Sequence, residues 1–264
     1  MDNIFWHQQI NDQPLYPDIL WSQPEHKSMA GKLAIVGGNL HKFTSASSVY
    51  NAATKAGVGA IRILLPNSLA KTISPIWPEC EFGPANKSGS FSLKSLAEWI
   101  DLASWSDNTI ISGDLSHNSE ISILLEQFIS QNKKPLTLMG DSLDFLINNP
   151  LGLFNDQPLT LALEFNQLQH LLTAIRYPTA LKSTMNLYQI ADLMHSLSSG
   201  YPLTIVTTHL DQIMLTYDGQ VYSTINKNNV HLLEVATAST VWRLQQPDKA
   251  FAAMTCGIYY LLNN

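Results

Sequence analysis

The chain has 264 residues, a formal net charge of −6 and only 14% charged side chains against 45% hydrophobic ones. That length allows a full α/β core in one unit, and an acidic chain of pI near 5.7 has no basic footprint for nucleic acid, so no nucleic-acid partner is expected. No apolar run approaches a bilayer span and the first residues carry acids rather than a basic flank, so a cytoplasmic protein without membrane contact is expected.

In chain order, residues 1–25 carry Pro14, Pro17 and Pro24 among Phe5, Trp6, Tyr16 and Trp21, and read as an arm packed on a single body spanning 26–264. The body opens with an apolar run at 33–36 that ends at Gly37, Gly38 and Asn39. From Ala46, apolar residues recur at Val49, Tyr50, Ala53 and Gly57, the spacing of one helix face, with Thr44 or Ser45 as cap. Gly57 and Gly59 stop that helix, and 60–65 is a second apolar run closed by Pro66. This strand–helix–strand unit puts the Gly37-Gly38-Asn39 loop at the carboxyl end of a parallel strand, where open α/β sheets bind ligands.

Residues 75–84 read as a loop and 86–90 as a polar turn, followed by a helix over Leu93, Leu96, Ala97 and Ile100. A strand at 109–111 ends in Ser112-Gly113-Asp114; a helix over Ile121, Leu124, Leu125 and Phe128 follows. Then come a strand at 136–139, a turn at Gly140-Asp141, and helices at 164–175 and 186–197. A strand at 203–206 precedes a hairpin of 213–215 with 220–222 through Tyr217-Asp218-Gly219, and helices at 234–244 and 249–262 close the chain. The alternation predicts an α/β fold with a mostly parallel central sheet covered by helices on both faces.

Several motifs fall away on context. Gly57-Val58-Gly59 follows a helix and precedes a strand, the reverse of a dinucleotide fingerprint, and Lys42 and Thr44 are split by Phe43, which rules out a phosphate loop of the GK[ST] kind. The eight histidines form no HxH or HExxH pair, and Cys80 and Cys256 have no CxxC or zinc-type spacing, so no metal is expected and each thiol is expected buried and reduced.

Taken together, His26-Lys27 with Gly31, the Gly37-Gly38 loop, the small-residue helix ending Lys55-Ala56-Gly57-Val58-Gly59, and Pro78-Glu79 resemble the ADP- or ATP-dependent NAD(P)H-hydrate dehydratases. The resemblance implies a ribokinase-like α/β fold over nearly the whole chain, an NAD(P)H-type ligand, ADP or ATP, and a homo-oligomer. It also implies the family's chemistry: a nucleotide phosphorylates the hydroxyl of a hydrated nicotinamide ring, and loss of phosphate restores the double bond. By position it implies substrate-binding roles for Gly37, Gly38, Asn39, Ala46, Asp141 and Glu164, and nucleotide-binding roles for Gly113, Thr207, Thr208 and His231.

The family's Gly-Thr-Gly-Asp falls on His231, Leu232, Leu233 and Glu234, making Glu234 the catalytic carboxylate. Those replacements put Cβ branches where glycine lets backbone amides reach a phosphate. Asp114 stands in a turn where the family has glycine and is expected to repel a phosphate; Thr207-Thr208 stand where it has Lys-Gly. Three functions follow: a divergent hydrate dehydratase with Glu234 as base, a catalytically inactive relative that binds a ligand or partner, or a kinase of a small metabolite.

Overall fold

Residues 33–36 are fully buried in succession and residues 159–163 nearly so, the pattern of strands covered on both faces rather than one. The computed structural model describes residues 5–10, 12–150 and 157–263. In chain order the elements are β1 (Trp6–Gln9), α1 (Pro17–Trp21), β2 (Lys32–Val36), α2 (Thr44–Lys55), β3 (Ala60–Pro66), α3 (Ala70–Ile73) and β4 (Glu81–Gly83). They continue with α4 (Leu96–Trp105), β5 (Asn108–Ile111), α5 (Ser119–Gln131), β6 (Leu136–Met139), α6 (Ser142–Asn148), β7 (Leu159–Leu163), α7 (Phe165–Ala174) and α8 (Leu187–Gly200). The last are β8 (Leu203–His209), β9 (Gln212–Tyr217), β10 (Gln220–Ile225), α9 (Leu232–Gln245) and α10 (Ala250–Asn263).

The described strands form one sheet in the order β1-β10-β9-β8-β7-β6-β5-β2-β3-β4. Only β9 runs against the others, pairing antiparallel with both β8 and β10. Strand alternation splits the core in two. Ala34, Val36, Leu161 and Ile205 face α4, α5, α7 and α8 on one side; Leu33, Ile35, Ala162 and Val206 face α2, α9 and α10 on the other.

The expected fold class therefore stands, with local corrections. The stretch 75–84, read as loop, contains β4, which pairs parallel with β3 through Leu64, Leu65 and Pro66. Arg62 fastens that short strand with two bonds to Glu81, at 2.6 and 2.7 Å. The run 159–163, assigned no element in the sequence reading, is β7. Thr44 is the first helical residue of α2 rather than its cap, and α9 starts two residues before Glu234. Residues 6–9 of the arm are a sheet strand, hydrogen-bonded in parallel register to β10.

Candidate functional site

Because β2, β5, β6, β7 and β8 all point the same way, Gly37–Asn39, Gly113, Asp141, Glu164 and Thr207-Thr208 fall along one edge of the sheet, the carboxyl edge. The first turn of α9 lies there too. Its last turn sits at the opposite, amino edge, where Gln245 Nε2 donates to the carbonyls of Ala56 and Gly57 at 3.3 and 3.0 Å.

At the β2 end the loop is tied shut. Gly37, Gly38 and Asn39 are buried, and a Cβ at Gly37 would come within 2.2 Å of Ser112 Oγ, so glycine is demanded by the approach of the next strand's loop. Asn39 Nδ2 donates to the Asp114 carbonyl at 2.6 Å, and its Oδ1 accepts from the His41 amide at 2.8 Å. The carboxylate of Asp114 accepts from the Ser45 amide, in the first turn of α2, at 2.9 Å. Its other oxygen pairs with Lys42 Nζ at 3.0 Å. Asp114 is thus the anion already seated at the amino end of α2, and Lys42, raised above its ordinary pKa by that bond, is its counter-ion.

Asp141 completes the cluster. Its Oδ2 accepts from the amides of Leu115 and Ser116 at 2.9 and 3.2 Å, while Oδ1 is buried with no hydrogen-bond partner among the described residues. Burial pushes its carboxyl above the usual range and the nearby Asp114 adds to that, against the pull of the two amides.

The remaining positions fall elsewhere along the edge. Glu164 is exposed and is the N-cap of α7, its own amide donating to Gln167 Oε1 at 3.2 Å. Ala46 is fully buried, its methyl in the core between α2 and α9. Thr207 alternates onto the α7–α8 side, with its hydroxyl buried and without a partner among the described residues; Thr208 takes the α9 side. His209, which the sequence reading did not single out, stacks on Phe165 at 4.5 Å, next to Thr207's side of the sheet.

His231 is the exposed N-cap of α9 and makes no side-chain cap bond, and Glu234 follows in the first turn. Leu232 is buried in the α2–α9–α10 core and Leu233 packs on it. Glu234 has neither an ion pair nor a side-chain hydrogen bond among the described residues. Among those residues no three His, Cys, Asp or Glu side chains converge. Among the described residues no helix is long and apolar enough to cross a membrane.

No family model and no curated protein matches the sequence. Solved structures do match the fold. A ribokinase-like superfamily protein from Enterococcus faecalis superposes over 99% of this chain and 88% of its own, with a TM-score of 0.72 at 13% identity. The chain has the ribokinase-like fold. A second neighbour, an ADP/ATP-dependent NAD(P)H-hydrate dehydratase from Bacillus subtilis co-crystallised with ATP and Mg2+, covers 95% of this ribokinase-like chain and 87% of its own, with a TM-score of 0.64 at 12% identity. The resemblance read from the sequence thus extends to the fold of the whole described chain, and at these identities to the fold alone.

Proposed function

We propose that this ribokinase-like protein is a divergent NAD(P)H-hydrate dehydratase-like protein. Its carboxyl edge takes a nucleotide-like ligand, and Glu234 is the carboxylate that accepts the proton of the ring hydroxyl. The observation that carries this reading is the first turn of α9: a helix start at the carboxyl edge with no side-chain cap, its leucines turned into the core, and an unpaired carboxylate at Glu234. Thr207 and Asn39 stand on strands four interstrand spacings apart, roughly 19 Å at ~4.8 Å each, an edge long enough for a nucleotide rather than a lone anion.

The fit to the phosphate chain is partial. His231 supplies an exposed side chain at the helix start, where the Glu234 amide already donates to the His231 carbonyl at 2.9 Å; no lysine stands at Thr207-Thr208, and Thr207 is turned to the other side of the sheet. ATP or ADP would bring the transferable phosphate; what the chain's own residues supply is the amide end of α9 and a base. Purified protein given hydrated NADH or NADPH with ATP or ADP should restore the reduced-nicotinamide absorbance. Glu234→Gln should lower that rate by at least about a hundredfold, the scale of a lost general base. Absence of turnover in the unaltered protein overturns the catalytic role.

A second reading, an inactive relative that keeps the crevice for binding, is favoured by Asp114. A carboxylate salt-bridged to Lys42 and seated on the Ser45 amide fills with the chain's own anion a place where an external one would otherwise bind. Saturable thermal stabilisation by ADP, ATP or NADH without turnover supports it; no stabilisation by any of the three removes it.

A further inference from the structure

At the amino edge, remote from Glu234 and Asp141, a cleft of about 360 Å³ opens between the starts of β7 and β8, the β9–β10 turn, and the last turns of α8 and α9. Arg243 enters it from α9 with its guanidinium 5.3 Å from the centre of the Tyr217 ring. Among the described residues Arg243 has no ion pair and no hydrogen bond. Of the other two arginines, Arg62 is held by Glu81 and Asp101, and Arg176 is exposed. Arg243 is half-buried, and burial pulls its pKa down while Tyr217 acts to raise it.

Gln157, in the same lining, carries a buried donor without a partner among the described residues. Gln157 is 3% exposed; its Oε1 accepts from Asn132 Nδ2 at 3.3 Å, which leaves Nε2 buried and unpartnered among the described residues. Thr204 stands beside Thr160 and Thr137 in a row across the α9 side of the sheet, and no described residue accepts its hydroxyl. Thr137 is taken by Thr240 at 3.3 Å, one turn of α9 before Arg243. Asp218, also lining the cleft, is exposed and makes no ion pair among the described residues. Arg243, Gln157 and Thr204 thus line one cleft, whose carboxylate, Asp218, forms no ion pair with Arg243 among the described residues.

We infer that this cleft binds a small organic anion, its carboxylate or phosphate oxygens engaged by the Arg243 fork and by Gln157 and Thr204, with Tyr217 as a flat wall. The planar fork suits either oxyanion in two parallel bonds, and the volume suits a metabolite rather than a polymer. The site is independent of the carboxyl-edge reading, since it shares no residue with it.

Thermal melting of the full chain tests the inference, with inorganic phosphate and with citrate, each against sodium chloride at equal ionic strength. At least one should raise the midpoint saturably, by about 5 °C or more at a hundredfold excess over its Kd, and the one that does so identifies the phosphate or carboxylate chemistry. Arg243→Met, of similar length and without an ion pair to lose, should leave the anion-free midpoint unchanged or higher and should abolish the response. Thr204→Val, nearly the same shape, should weaken apparent affinity several-fold and carries the test if Arg243→Met folds poorly. No rise above the chloride control, or an unchanged response in both variants, overturns the site. A nucleotide's phosphates could enter the same cleft, so the ADP and ATP screen is repeated on Arg243→Met. Stabilisation kept there belongs to the carboxyl edge, and stabilisation lost belongs here.

Discussion

Asp114 has φ +58, a backbone region in which a Cβ is strained, and it persists there because three partners hold it: the Ser45 amide, Lys42, and Asn39 on its carbonyl. Next to it, Asp141 is an acid held partly out of water with one oxygen unpaired. Its folded pKa lies above the ordinary 3.8, so the folded state binds a proton more readily than the unfolded one. Stability is then lost as pH rises from the unfolded value through the folded one, and the penalty is complete above it. Asp141→Asn keeps an oxygen for the Leu115 and Ser116 amides and removes the charge. It should raise the urea midpoint at pH 7, with the gain vanishing toward pH 3 to 4; an equal gain at both pH values would refute the assignment to ionisation. Neither the Asp114 bonds nor the orphaned Asp141 oxygen is legible in the sequence. They join residues 42, 45, 114 and 141 across three different loops, and only folding brings them together.

At the scale of elements, α9 and α10 pack as a close pair because Gly257 lets them. A Cβ there would lie 2.8 Å from both the Ala238 carbonyl and Trp242 Cγ, a backbone and an indole that cannot easily yield. Gly257→Ala should cost about 1–3 kcal/mol despite the higher helix propensity of alanine, read as a lower urea midpoint. An unchanged or raised midpoint would mean that the pair can spread. Elements with local periodicity were readable in the chain: α2 from Ala46, Val49 and Ala53, α5 from Ile121, Leu124 and Phe128, and the β9–β10 hairpin from its Asp-Gly turn. Those made by tertiary contact were not. β4 is three residues between a cysteine and a proline, and pairing with β3 and the Arg62–Glu81 bonds make it a strand. β1 carries no run long enough to betray itself, and α6 spans only seven residues after the Gly140 turn. Of the candidate site, the placing along the carboxyl edge followed from strand order. Which side chains face it did not: the leucines of α9 turn inward, and Thr207 lies on the far side of the sheet.

For the molecule as a whole, the opening segment is joined to the body by more than packing. Trp6 Nε1 donates to Ser223 Oγ at 3.0 Å, the Val221 amide to the Phe5 carbonyl at 2.7 Å, and Cys256 Sγ to the Tyr16 carbonyl at 3.2 Å. Tyr16 and Phe251 meet edge to face, and Ile19 is buried in the α9–α10 core. A chain beginning at residue 26 loses these contacts and bares the edge of β10. Its melting midpoint should fall on the order of 10 °C, taking roughly 2–4 °C per kcal/mol for a chain of this size. A midpoint within a degree or two of the full chain's would make residues 1–25 a true appendage. The pairing of β1 with β10 also sets an order of events in the cell. Strand β1 has its partner at Val221–Thr224, so it must stay unpaired until every strand between it and β10 has been synthesised, and the sheet's outermost seam cannot close before then.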